Sequence, residues 1–199
     1  MSTIHPIEAE SYRILAERVD LSGFGPCAAA VVARVIHASA DVDYARTMVV
    51  DEAAAKAGIA ALAGGAPVVV DVEMVRHGIT GVDARCYLPD TAPSGTTRSA
   101  AGLAVAAERH PQGAVVVVGC APTALEEVVR LHEAGRFSPA LVIGLPVGFV
   151  GAAEAKTRLR ASGLVAISNV GEKGGSAVAA AALNVLIRSA SRMPGQHHG

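Results

Sequence analysis

The sequence predicts an α/β fold, three layers (α/β/α) built on a mainly parallel sheet of about five strands. Two observations carry that reading. Short β-branched runs recur through the second two-thirds of the chain, and a longer stretch of helical pattern follows each one. Hydrophobic residues make up 51% of the 199 residues and charged residues 18%, enough apolar material for one well-buried core.

The strands are read at 67–72, 114–119, 140–145 and 164–168, each bounded by Gly, Pro or a charge, with a weaker one at 85–88. Helices over 97–108, 122–134, 152–160 and 176–189 separate or follow them. This rhythm implies βαβ crossovers, and so a parallel sheet covered on both faces. The first third is helical instead: 6–18 opened by Pro6, 26–37, and 51–62 stopped by Gly64 and Gly65. No internal repeat or dividing linker is visible, so 1–193 reads as a single domain with a loose tail at 194–199.

Composition limits the function classes. Aromatic residues are 3% and Trp is absent, so Ala, Val, Leu and Ile must build the core. A net charge of −1 offers no electrostatic footprint for nucleic acid or an anionic membrane. The apolar runs fall well short of the roughly 20 residues that span a bilayer. Cys27, Cys86 and Cys120 form no paired motif and no zinc spacing, which fits a reducing, cytoplasmic setting.

In open parallel sheets a ligand binds beyond the carboxyl ends of the strands. Here those ends run into 71–74, 119–123, 144–148 and 169–176, all polar or Gly-rich. Near them lie the candidate functional residues. His37 ends an apolar helix three residues after Arg34, so both project from one face. The C-terminal dipole of that helix favours the imidazolium and Arg34 opposes it, a balance suited to a general acid. A His that only satisfies the last helix carbonyls is the plainer alternative. Arg34, in an apolar stretch, needs a partner: a ligand carboxylate, or Asp41 or Asp43. Ser11 falls mid-helix, with a hydroxyl available to a substrate or to solvent.

Two helix starts read as anion sites or as ordinary caps. Thr97 and Arg98 open an Ala-rich helix. Lys173, Gly174 and Ser176 lie in a Gly-rich turn into the last helix, where backbone amides suit carboxylates; the spacing is not that of a phosphate loop. Asp71 and Glu73 end a strand, without the ligand cluster of a cation site, and read as caps of the next helix. His197 and His198 sit in the tail.

Taken in order, these stretches resemble the precorrin-8X/cobalt-precorrin-8 methylmutase family along nearly the whole chain. The matching segments are ESYRI at 10–14, RVIHA at 34–38, DVEMV at 71–75 with HGIT at 77–80, TRSA at 97–100, APTAL at 121–125, GLPVGFVGAAE at 144–154 and GGSA at 174–177. The resemblance implies an isomerase that moves a methyl group from carbon 11 to carbon 12 of a corrin precursor. It implies no cofactor and no protein-bound metal, and a homodimer. His37 matches the family's essential histidine, and Ser11 and Arg34 its substrate-contacting Ser and Arg. Arg98, Thr97, Lys173, Gly174 and Ser176 complete the expected carboxylate contacts. Three positions depart from the family pattern: Cys120 for Asn, Ser168-Asn169-Val170 for a more basic stretch, and Tyr12 for Phe. Two competing classes are a noncatalytic corrinoid carrier and a nucleotide-binding enzyme, the latter without its fingerprints.

Overall fold

The computed structural model describes residues 5–192, and the expected tail at 194–199 lies outside them. Helix α1 (Pro6–Arg18) starts on a proline whose missing N–H costs the first turn nothing, with the His5 ring accepting from the Ile7 N–H at 3.2 Å. Helix α2 (Pro26–Ser39) has no side-chain cap of its own. Glu52 supplies one from afar, its Oε2 accepting from the N–H groups of Cys27 and Ala28 at 2.9 and 3.0 Å. α2 ends at Ala40, which adopts the left-handed conformation at φ 54°. A short helix α3 (Tyr44–Thr47), strand β1 (Met48–Val49) and helix α4 (Glu52–Ala63) follow.

The βα rhythm then sets in: β2 (Val68–Val70), α5 (Glu73–Gly78), β3 (Ala84–Cys86), α6 (Arg98–Arg109), β4 (Val115–Val118), α7 (Pro122–Glu133), β5 (Leu141–Gly144), α8 (Ala152–Ala161), β6 (Ala166–Asn169) and α9 (Ser176–Ala190). Among the described residues the sheet has six strands in the order β1-β6-β5-β4-β2-β3. β2 to β6 are mutually parallel, as the sequence predicts. The sixth, β1, runs antiparallel to β6, with Met48 opposite Asn169. Two residues are too few to show any periodicity, so β1 was not legible in the sequence.

Strand side chains alternate between faces, and the core divides accordingly. Val68, Val70, Val115, Val117, Leu141, Ile143 and Ile167 join one cluster with residues of α2, α4, α5 and α9. Val69, Val116, Val118 and Val142 join a second, with α6, α7 and α8. The three expected layers are present, and the first face carries more: α2 packs chiefly on α9 and α4, and α1 lies on α2. The apolar surface of α2 therefore meets other helices rather than the sheet.

One expected cap is corrected. Asp71 does not cap α5, whose N-cap residue Val72 has no side-chain bond. Its carboxylate instead accepts from the N–H groups of Gly119, Cys120 and Ala121 at 3.1, 2.8 and 2.9 Å. It thereby organises the turn from β4 into α7, which has no side-chain cap of its own. Burial pushes the Asp71 carboxyl up, against the opposing pull of those three N–H donors.

Candidate active site

β1 begins opposite the last residue of β6, so the segment joining α2 to β1 lies at the carboxyl edge of the sheet. That places the end of α2, and His37, at the edge where fold logic puts a ligand. The His37 ring is held from two sides. Ser11 Oγ lies 2.7 Å from Nδ1, and the Tyr12 ring stacks on the imidazole at 4.9 Å with an interplanar angle of 10°. Nε2 has no hydrogen-bond partner among the described residues. The imidazole lines a cavity of about 130 Å³ with Ser11, Ile14, Leu15, Arg18, Ile36, Ala40 and Val42.

The hydroxyl of Ser11 suits either state of the ring. It donates to a bare Nδ1 and accepts from a protonated one. Arg34 pairs with Glu8 of α1, whose Oε1 lies 2.9 Å from Arg34 Nη1. That is a correction: neither Asp41 nor Asp43 pairs with Arg34. Arg34 Nε is buried and has no hydrogen-bond partner among the described residues.

Asp41 and Asp43 instead grip Lys173, at 2.7 and 2.9 Å from its Nζ. Both carboxyls are held below their ordinary range by this lysine, and the lysine is raised in turn. Lys173 Nζ also lies 5.8 Å from the centre of the Tyr44 ring. The clamp ties the β6–α9 loop to the segment just after His37. Gly174 follows in a place only glycine fits, since a β-carbon would collide with the carbonyl oxygens of Leu145 and Pro146. Gly175 donates to the Leu145 carbonyl at 2.8 Å, and Ser176 opens α9, whose first turn has no side-chain cap. Its uncapped N–H groups and positive dipole end form a setting for a carboxylate.

Thr97 and Arg98 form a separate group on the other face of the sheet. Thr97 caps α6, accepting from the Ala100 N–H at 3.2 Å, and its hydroxyl meets that of Thr123 at 2.7 Å. Arg98 Nε donates to the Pro89 carbonyl at 2.7 Å. A groove of about 450 Å³ runs past Thr97 and Thr123 to Arg130 and Arg158. No hydrogen bond among the described residues joins this group to His37. The structure thus brings Ser11 and His37 together, links Lys173 to the segment beyond α2, and leaves Thr97 and Arg98 across the sheet.

Three features went unread in the sequence. Tyr12 stacks on His37 as a ring support, a contact no local pattern announces. Asn169 is fully buried and faces Lys156 Nζ at 2.9 Å, so its departure from a basic residue lies beneath the surface. Lys156 is itself buried in the stripe formed by Ala152, Ala155 and Leu159. Its helical spacing with those apolar residues was the signal that a charge lay in the core. Around the same edge, Met74, Val147, Phe149, Val150 and Val170 are exposed, Phe149 at 95% and Val150 at 88%. Among the described residues no group of three or more His, Cys, Asp or Glu side chains is placed to hold a metal ion. No helix of theirs is long and apolar enough to cross a membrane.

The carboxyl edge of this α/β sheet gathers a supported imidazole, an uncapped helix start and an apolar rim, the arrangement of a ligand-binding α/β enzyme. Residues 6–189 match the family described as precorrin-8X methylmutase, and this chain belongs to that family. It is an enzyme of the methylmutase class, an isomerase of cobalamin biosynthesis. Among its relatives, the cobalt-precorrin-8 methylmutase of Methanothermobacter thermautotrophicus is 38% identical over 191 residues, covering 92% of each chain. The precorrin-8X methylmutase of a Sinorhizobium species is 40% identical, covering 92% of this chain and 93% of its own. The crystal structure of precorrin-8X methylmutase from Thermus thermophilus superposes with a TM-score of 0.84 at 37% identity, over 94% of this chain and 98% of the other.

Proposed function

We propose that the enzyme moves the methyl group of precorrin-8X, or of its cobalt form, from carbon 11 to carbon 12, giving hydrogenobyrinate or cobyrinate. The observation that carries this reading is the supported His37 ring, with Ser11 on Nδ1, Tyr12 on its face and Nε2 unengaged. In the acting state both ring nitrogens are protonated, Nδ1–H donating to Ser11 Oγ and Nε2–H directed at the macrocycle. Proton transfer to a ring nitrogen of the metal-free macrocycle, or to the conjugated system where cobalt occupies the nitrogens, draws electron density toward the added proton and eases the [1,5] shift of the methyl group. The proton returns to Nε2 once the bond to carbon 12 has formed, and the reaction is redox-neutral and needs no cofactor.

The substrate is large, flat and rich in carboxylates. A cavity of about 130 Å³ at His37 cannot enclose it, so the macrocycle lies across the sheet edge. Its carboxylates meet the first turn of α9 at Gly174 and Ser176, the Lys173 side chain, and Arg34 through exchange with Glu8. Holding the macrocycle in one reactive geometry supplies much of the rate. Thr97 and Arg98, across the sheet from His37, belong to the same reading as contacts for carboxylates on the far side of the macrocycle. In a cytoplasmic homodimer a second copy covers the apolar rim at Phe149 and Val150 and closes the site.

The test is direct. Purified protein is mixed with precorrin-8X and with cobalt-precorrin-8, and the visible spectrum is followed as conjugation changes. His37→Ala is expected to bind either compound and to lose turnover by about a hundredfold or more. Normal turnover by that variant would refute the assignment of the acid. Binding without turnover by the unaltered chain would instead mark a corrinoid carrier.

A further inference from the structure

Beneath the β6–α9 loop lies a polar knot that the proposed chemistry does not use. Lys156, on α8, is fully buried, and no carboxylate among the described residues pairs with it. Its ammonium donates to Asn169 Oδ1 at 2.9 Å and to the Lys173 carbonyl at 2.6 Å. Asn169 turns its own Nδ2 to the same Lys173 carbonyl at 2.9 Å and to that of Val170 at 3.3 Å. Arg160 closes the knot, Nη1 donating to the Asn169 carbonyl at 2.9 Å. These bonds hold three backbone carbonyls, those of Asn169, Val170 and Lys173, from below.

The loop's upper side is what the proposed substrate would meet. The same Lys173 whose carbonyl is held from below sends its side chain to Asp41 and Asp43, beside His37. The backbone carbonyl of its neighbour Glu172 accepts from the Gly148 N–H at 3.1 Å, and Gly174 and Gly175 press on Leu145 and Pro146. Such a loop, without helix or strand of its own, has few internal bonds to fix it. A buried cation is an expensive way to pack a core position that an apolar residue would fill. Its return here is geometric: an ammonium reaches two oxygens at once, which no apolar side chain does.

We propose that Lys156 is a positioning residue, which fixes the carbonyl of Lys173 and so sets the Gly174 and Ser176 amides and the Lys173 side chain for a substrate carboxylate. This rests on the methylmutase reading for the identity of the ligand, though not for the mechanics of the loop. The charge acts through the loop and never touches the macrocycle. Its loss should therefore weaken binding far more than it slows the chemical step at His37.

The experiment joins two measurements on the full chain. Amide hydrogen exchange is compared for the unaltered protein, Lys156→Met, Lys156→Gln and His37→Ala, and KM and kcat are taken with precorrin-8X and its cobalt form. Lys156→Met is expected to lose protection in residues 170–176 by about tenfold, as Asn169 Oδ1 loses its donor and the Lys173 carbonyl loses one of two, while the interior of α9 stays protected. KM should rise by about the same factor, with kcat within about threefold of the unaltered enzyme. Lys156→Gln restores one donor and should recover part of both effects. His37→Ala should lose turnover and leave the exchange of the loop unchanged. If Lys156→Met fails to fold, exchange rises through α9 as well, and Lys156→Gln decides. Unaltered exchange in residues 170–176, or a loosened loop with unchanged KM, overturns the proposal. An unaltered chain that turns over neither compound would sink the methylmutase reading, and the exchange result then decides the role of Lys156 on its own.

Discussion

The charge on Lys156 has a thermodynamic consequence that can be read without any substrate. Burial, helped by the nearby Arg160 and opposed by Glu172, lowers this lysine from 10.5 to about 8. Its folded pKa is therefore depressed, and between about pH 8 and 10.5 the unfolded chain binds the proton that the folded chain has lost. Stability rises with pH wherever the unfolded state holds more protons. The difference of about 2.5, at about 1.4 kcal/mol for each pH unit, gives about 3 kcal/mol. That is the penalty of the buried ammonium at neutral pH, and it fades as pH climbs through this window. Lys156→Met keeps the volume and removes the titration. Urea unfolding of both proteins from pH 7 to 10.5, taken as a difference, cancels every other titrating group. The unaltered protein should gain about 3 kcal/mol on the variant across that range. A difference that stays flat, or falls, would show that the ammonium is not strained by burial.

Two further substitutions probe the edge of the sheet. Asp71→Ala leaves the N–H groups of Gly119, Cys120 and Ala121 without their acceptor, and should cost about 3 kcal/mol by denaturant unfolding; a variant as stable as the parent would mean that this carboxylate does not hold the turn into α7. Gly174→Ala drives a methyl group into the Leu145 and Pro146 carbonyls and should cost about 2 kcal/mol, with loosened exchange from 170 to 176; unchanged unfolding and exchange would show that the loop has room to spare.

Much of the architecture was legible because its signals are local. The valine runs of β2 and β4 and the leucine and isoleucine of β5 announce buried parallel strands. Pro6, Pro26 and Pro122 mark helix starts where a missing N–H does no harm. β1 was invisible because two residues carry no pattern, and its strand character comes from pairing with β6. The outer position of α2 was equally unreadable. An apolar helix surface states that it must be buried, not whether a sheet or another helix will cover it.

For the site, sequence alone determined which chemistries were on offer: an imidazole at a helix end, an arginine in an apolar stretch, and Gly-rich turns at strand ends. The ordered motifs tied those to one family, and residues 6–189 bear that out. Only the tertiary structure decided which groups meet. It gave Arg34 to Glu8 and Lys173 to Asp41 and Asp43, set Ser11 and Tyr12 against His37, and turned Asp71 toward three amides of another strand's end. Those contacts join residues 25 to 132 positions apart for a common physical reason. Partner choice for a charge or a polar hydrogen is set by distance and desolvation in the folded chain, and neither quantity is encoded in local spacing.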